Sequence, residues 1–362
     1  MMDRRRALTA LAMFGLALPT AAYAGTGVQR VVAASVVCGG QATLSVSQAT
    51  RVQQVTGSNT LNVGMGGADL GVMWSDGIQV MHAFGDNFGT VKPDFGGPTG
   101  TDWKANALGF SSNRDLRNGI AFNGFYDLGT GDRQAFVPLF SDSEDGLVPT
   151  GGIHVNGNDY VSYMIFPKGH TDFTQTRANG IAMSSDGGNS WHRVGSAVWA
   201  NNSDWSDNFQ QHAFATSGDG EVYVYTTRSG RQGDVYLMRV AGARILDKGL
   251  YEYWTGSAWS FDQSQARPVA KGPAGEMSAM YDQQLCLWLM LYHDGAKGVT
   301  ALRCATEPTG PWSDERTVLP DSQQTIYAPF MHPWTNGADL WFVGSDWSTY
   351  QVYLFHSDLK KG

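Results

Sequence analysis

The chain has 362 residues, a formal net charge of −8 and only 16% charged residues. An acidic chain without a basic cluster does not track phosphate backbones, which argues against nucleic acid and an anionic membrane surface as partners. Forty-five glycines and 12% aromatics beside so little charge describe many short strands joined by tight turns.

The first segment reads as an export signal. Arg4, Arg5 and Arg6 are followed by an apolar run over 7–19, and Ala22-Tyr23-Ala24 closes it with small residues at the two outer positions. The run is too short to span a bilayer, so residues 1–24 are expected to be cleaved and the mature chain to start at Gly25. The triple arginine is also compatible with twin-arginine export. Residues 1–24 carry three arginines and one aspartate, so the mature chain has a net charge of −10.

Beyond residue 25 no long helical period appears. Alternation of apolar and polar residues predicts strands over 69–74, 79–86, 159–166, 221–227, 234–240, 286–292 and 339–345. Turn pairs such as Asp76-Gly77, Asn156-Gly157, Asp219-Gly220 and Asp294-Gly295 separate them, and such pairs between alternating runs mark hairpins. The hairpins fall into groups over 62–128, 148–195, 209–245, 275–316 and 327–357. Repeats of about 40–60 residues fit blades of four strands, so the expected fold is an all-β, five-bladed β-propeller filling residues 25–362 as a single domain. The N-terminal stretch 25–60 is expected to add a strand to the last blade. A β-sandwich with a small appended domain is the alternative.

Ser184, Asp186, Gly188, Ser190 and Trp191 spell S-x-D-x-G-x-S-W. The pattern resembles the Asp-box hairpin of sialidase-like and related propellers. Asp186 is expected to cap the turn backbone, which makes it structural rather than catalytic. Of the three cysteines, Cys286 and Cys304 lie in consecutive predicted strands and are expected to pair, leaving Cys38 free and buried. No CxxC, H-x-x-x-H or H-x-H spacing supports a metal site, and no cofactor is expected.

Glycoside hydrolysis usually needs two carboxylates, one to protonate the leaving oxygen and one to activate water or attack the sugar. Asp69 and Asp86 flank the hairpin that turns at Asp76-Gly77. A two-residue loop places them as diagonal neighbours on one face, about 7–8 Å apart. A four-residue loop sets them directly opposite, about 4.5–5.5 Å apart. The Asp-Gly signal favours the two-residue turn and, with it, inversion; the four-residue turn favours retention. A three-residue loop would send the pair to opposite faces. Two like charges this close push one pKa upward, as a general acid at neutral pH requires. Strand-end capping is the competing role for both aspartates.

Further candidates for sugar contact are Trp74 and Trp347 by stacking, Arg231 through vicinal hydroxyls, Asp115, His332, and Glu276, which could also tune a neighbouring pKa.

Gly-Ala-Asp-Leu-Gly at 67–71 followed by Phe-Gly-Asp-Asn-Phe-Gly at 84–89 resembles the opening signature of the DUF4185 family, which includes the endo-D-arabinanases of glycoside hydrolase family 183. The likeness continues at Pro149-Thr150-Gly151-Gly152, Ser229-Gly230-Arg231, Tyr251-Glu252-Tyr253-Trp254, Gly275-Glu276-Met277-Ser278, Pro308-Thr309-Gly310-Pro311-Trp312 and Tyr327-Ala328-Pro329-Phe330-Met331-His332-Pro333. It implies a five-bladed propeller that cleaves within D-arabinofuranose chains, as found in mycobacterial arabinogalactan and lipoarabinomannan, with Asp69 and Asp86 as the catalytic pair. The expected partner is therefore an arabinan polysaccharide, met outside the cell by a monomer. A glycan-binding propeller without turnover is the alternative function.

Overall fold

The computed structural model describes residues 34–39, 42–93, 98–320 and 325–362. The expected signal segment lies outside the described residues. Every regular element among them is a β-strand or a short 3-10 turn.

In chain order, β1 (Ala34–Cys38), β2 (Ala42–Val46) and β3 (Thr50–Gln54) come first. A four-stranded antiparallel sheet follows from β4 (Gly67–Ser75), β5 (Val80–Phe88), β8 (Ala107–Ser111) and β9 (Phe122–Phe125), interrupted by the small hairpin β6 (Thr90–Lys92) and β7 (Thr99–Thr101). The next sheet is β10 (Glu144–Val155), β11 (Asn158–Pro167), β12 (Ala178–Ser184) and β13 (His192–Ala200).

Then come β14 (Gln211–Ala215), β15 (Glu221–Thr227), β16 (Gly233–Ala241), β17 (Glu252–Trp254) and β18 (Trp259–Ser260). They join through β16 to β19 (Ala270–Asp282), β20 (Leu287–Asp294), β21 (Val299–Ala305) and β22 (Arg316–Leu319) in one nine-stranded sheet. The last strands are β23 (Ile326–Met331), β24 (Asp339–Asp346) and β25 (Gln351–Lys361).

β25 takes both β3 and β2 as partners, so the N-terminal segment completes the C-terminal sheet. The first strands pack side by side in a closed circuit: β4 on β10, β10 on β14, β14 on β19, β19 on β23 and β23 back on β4. The fold is all-β and propeller-like. Face-to-face stacking of the sheets buries both faces of the middle strands, and every residue of β20 is buried. The outer strand β13 keeps exposed residues, as an edge should.

A small cavity of about 30 Å³ lies where the first strands meet, lined by Leu70, Pro149, Thr150, Gln211, Glu276 and Phe330 among others. It has room for about two water molecules.

The Asp-box hairpin joins β12 to β13 as expected. Oδ1 of Asp186 accepts from the Ser190 N–H at 2.9 Å, Oδ2 accepts from the Ser190 hydroxyl at 2.6 Å, and Trp191 Nε1 donates to the Gly188 carbonyl at 3.1 Å.

Two expectations are corrected. The disulfide joins Cys38 to Cys304, and Cys286 is the free, exposed cysteine. Cys286 sits in the turn before β20 with φ of +50°, while Cys304 pairs with Leu289 inside the sheet, so the two thiols never face each other. The hairpin between β4 and β5 is the four-residue form, because Ser75 pairs with Val80 and Trp74 with Met81. Asp76 caps that turn itself, accepting from the N–H groups of Ile78 and Gln79 at 2.8 Å each. The premise for inversion therefore goes.

Candidate active site

The regular register of β4 and β5 breaks where the chemistry is expected. Ala68 pairs with Asn87 and Leu70 with Phe84, with irregularities on both sides of Leu70. Leu70 and Gly71 both have left-handed φ, +65° and +97°. A bulge of this kind turns a side chain out of the plain alternation. The Ser345 hydroxyl holds it by accepting from the Leu70 N–H at 2.7 Å. Similar breaks fall next to Thr150 on β10, Glu276 on β19 and Tyr327 on β23. The first strands are thus irregular at the level where their polar side chains converge.

Asp69 is partly exposed as a residue, but its Oδ1 is shut off from solvent and lacks a well-formed hydrogen bond. Tyr327 Oη donates to Oδ2 at 3.0 Å, and Tyr350 is a second hydrogen-bonding neighbour. Gly85 makes the approach feasible, since a Cβ there would collide with Asp69 Oδ1. Burial first, then the negative charge of Asp86, push the Asp69 carboxyl up to about 8 against the pull of the two tyrosine hydroxyls. It therefore carries its proton at neutral pH.

Asp86 is partly exposed across the hairpin, and Trp103 Nε1 donates to its Oδ1 at 2.7 Å. One carboxyl is thus kept neutral and the other is held by a neutral donor, an arrangement that separates acid from base.

Glu276 and Arg231 form the other wall. Arg231 Nε lies 3.0 and 3.1 Å from the two Glu276 oxygens, and Nη2 lies 2.8 Å from Oε1. Burial pushes the Glu276 carboxyl up, but the guanidinium outweighs it and holds the group below its ordinary value. The Arg231 guanidinium also lies 4.9 Å from the centre of the Tyr327 ring and 5.6 Å from that of Phe173. The negative charge of Glu276 adds to the upward push on Asp69. Trp347 packs edge-on against Tyr327 and Tyr350, at 5.8 and 5.9 Å.

Of the residues picked from sequence, Asp69, Asp86, Arg231, Glu276 and Trp347 come together. Trp74, Asp115 and His332 lie elsewhere. Trp74 is buried, with its indole N–H on Asp159 Oδ1 at 3.1 Å and its ring against Trp191. Asp115 caps the 3-10 turn Leu116–Asn118 and pairs with Arg117 at the surface. His332 is fully buried beside His82, and burial pushes its imidazole down to about 3.

Trp103, Tyr327, Tyr350 and Phe173 escaped the sequence reading. Tyr327 stands in the same motif as His332, and the left-handed Ala328 (φ +50°) that follows it accompanies the break in register. Nothing in sequence separates Trp103 from the eleven other tryptophans.

Comparison with known proteins gives a consistent picture of family and fold. A "Notoamide biosynthesis cluster protein J'" from Aspergillus versicolor is 30% identical over 314 residues, covering 79% of this chain and 82% of that one. A solved Bacteroides ovatus protein superposes with a TM-score of 0.59 at 13% identity, covering 87% of this chain and 90% of its own. A family 117 glycoside hydrolase from the marine bacterium Zobellia galactanivorans gives 0.53 at 12% identity, covering 86% and 90%. At such identities the structural likeness establishes the fold alone. Residues 55–356 match the family model described as "Domain of unknown function (DUF4185)", and the chain belongs to that family.

Proposed function

We propose that the protein is an exported glycoside hydrolase that cleaves internal α-linked D-arabinofuranosyl bonds in arabinans of the mycobacterial type, with Asp69 as general acid and Asp86 as its basic partner. The observation that carries this reading is a carboxyl raised to about 8 beside a second carboxylate across one hairpin. In the proposed reaction Asp69 gives its proton to the glycosidic oxygen as the C–O bond breaks. Asp86 either draws a proton from the incoming water or attacks the anomeric carbon itself. The Arg231–Glu276 pair and the Trp347 ring line the sugar site, offering charged hydrogen-bond partners and an apolar edge.

We read the nine-stranded sheet as two blades bridged through β16 and β19, giving five blades around the circuit of first strands. The Cys38–Cys304 disulfide favours an oxidising compartment, in keeping with cleavage after residue 24. A similar fold in a family 117 glycoside hydrolase supports the reaction class, and the likeness of the 67–71 and 84–89 signatures to those of endo-D-arabinanases motivates the choice of substrate.

The test is release of reducing ends from purified D-arabinan by the wild type, Asp69→Asn and Asp86→Asn. Loss of either group should lower the rate at least about 10²–10⁴-fold. Folded variants that keep full activity would reject the assignment. Tight arabinan binding by a wild type that releases no ends would point instead to a recognition propeller.

A further inference from the structure

Arg133 is among the largest fully buried side chains of the protein and takes no part in the chemistry described above. Its Nε donates to Asn87 Oδ1 at 2.6 Å, Nη1 to Asp102 Oδ2 at 2.9 Å, and Nη2 to the Asp102 carbonyl at 2.7 Å. These acceptors are the immediate chain neighbours of Asp86 and Trp103. The two segments also bond each other, through Asn87 N–H to the Lys104 carbonyl at 3.1 Å and Lys104 N–H to the Asn87 carbonyl at 2.9 Å.

Asp102 holds a left-handed φ of +46°, a region aspartate enters more readily than most side chains, and its bonds to Arg133 and Lys104 fix it there. Two of the three Arg133 bonds fall on that residue. The Arg133 backbone N–H is itself fixed on the Val63 carbonyl at 3.1 Å, so the guanidinium reaches out from an anchored base.

We propose that Arg133 is a positioning residue for hydrolysis: it clamps Asn87 to Asp102 and thereby holds the Trp103 indole N–H on Asp86. This rests on the hydrolase reading above. The planar fork of the guanidinium is what the three acceptors require, and a lysine ammonium presents no such fork. With the clamp gone, Asp102 is no longer held in its left-handed φ and Trp103 swings away from the carboxylate.

The experiment compares Arg133→Lys, Trp103→Phe and the double variant in the full-length protein on D-arabinan. Arg133→Lys should lower kcat about tenfold to a hundredfold, because small misplacements of reacting groups are that costly, with KM within about twofold of wild type. The double variant should be no worse than Trp103→Phe alone. Multiplicative losses, or a rise in KM with kcat unchanged, would overturn the proposal.

A second arm does not depend on turnover. The Trp103 indole N–H resonance, assigned by its disappearance in Trp103→Phe, should move and exchange faster with solvent in Arg133→Lys. An unchanged resonance rejects the clamp even if Asp86→Asn proves fully active and the hydrolase reading fails. Should Arg133→Lys not fold, Asp102→Gly removes the side-chain acceptor at a φ that glycine tolerates. It should show the same kcat loss, moderated by the surviving carbonyl bond, and the same coupling to Trp103; additivity there overturns the proposal too.

Discussion

Replacing Asp69 by Asn tests the proton on this carboxyl through stability, without reference to any substrate. The amide matches the protonated carboxyl in size and can still accept from Tyr327 Oη, so the site keeps its shape. The carboxyl stands at about 8 in the fold against an ordinary 3.8. Each pH unit between those values weakens the folded form by about 1.4 kcal/mol relative to a chain that lacks the group, about 6 kcal/mol over the whole span. Part of the residue meets water, and screening reduces this to about 2–3 kcal/mol. The sign follows from the raised value: the folded protein binds more protons than the unfolded chain. Its advantage is complete below 3.8 and is lost as pH rises through 8. Urea unfolding of wild type and Asp69→Asn at half-unit steps from pH 4 to 8.5 measures it. The wild type should lose about 2–3 kcal/mol relative to the variant across that range. A flat difference, or one that grows in favour of the wild type, would refute the placement of this proton.

Tyr327→Phe removes a donor that lowers the Asp69 value, so the alkaline limb of the activity profile should move to higher pH. Glu276→Gln removes a negative charge near Asp69 and frees the Arg231 cation, so that limb should move to lower pH, and about 2 kcal/mol of stability should be lost as the guanidinium loses its charged partner. Matching pH profiles for both variants and wild type would contradict the electrostatic account of the acid. The Cys38–Cys304 bridge spans 266 residues, and Cys38→Ser should cost about 3–5 kcal/mol in chemical denaturation while Cys286→Ser costs little.

Local pairing was legible in the sequence because hairpins are decided by neighbours. All seven strands read from alternation exist, and the Asp-box turn forms the hydrogen bonds its residues imply. The Asp76-Gly77 pair misled because Asp76 caps a longer turn with its own side chain, which the dipeptide alone does not reveal. The disulfide was misread for a related reason. β1 is carried onto β21 by its place at the edge of the C-terminal sheet, and nothing near Cys38 encodes that neighbour. Within the site, the two aspartates share one hairpin and could be paired on paper. Tyr327, Tyr350 and Trp103 reach them through ring closure and a surface loop. Trp74, a candidate for stacking, instead donates its indole N–H to Asp159 in the core, and His332, near the start of a predicted blade, is fully buried with its Nδ1 accepting from the Trp334 N–H.

The tyrosine that grips Asp69 lies 258 residues further along the chain. During synthesis the aspartate emerges early, yet its hydroxyl partner leaves the ribosome only when the polypeptide is nearly finished. Any prematurely terminated product ending before β23 lacks both Tyr327 and Tyr350 and the packing of the last sheet against β4, and with it part of the burial that raises the Asp69 carboxyl. The electrostatic setting of Asp69 is therefore complete only once the last sheet has formed around it.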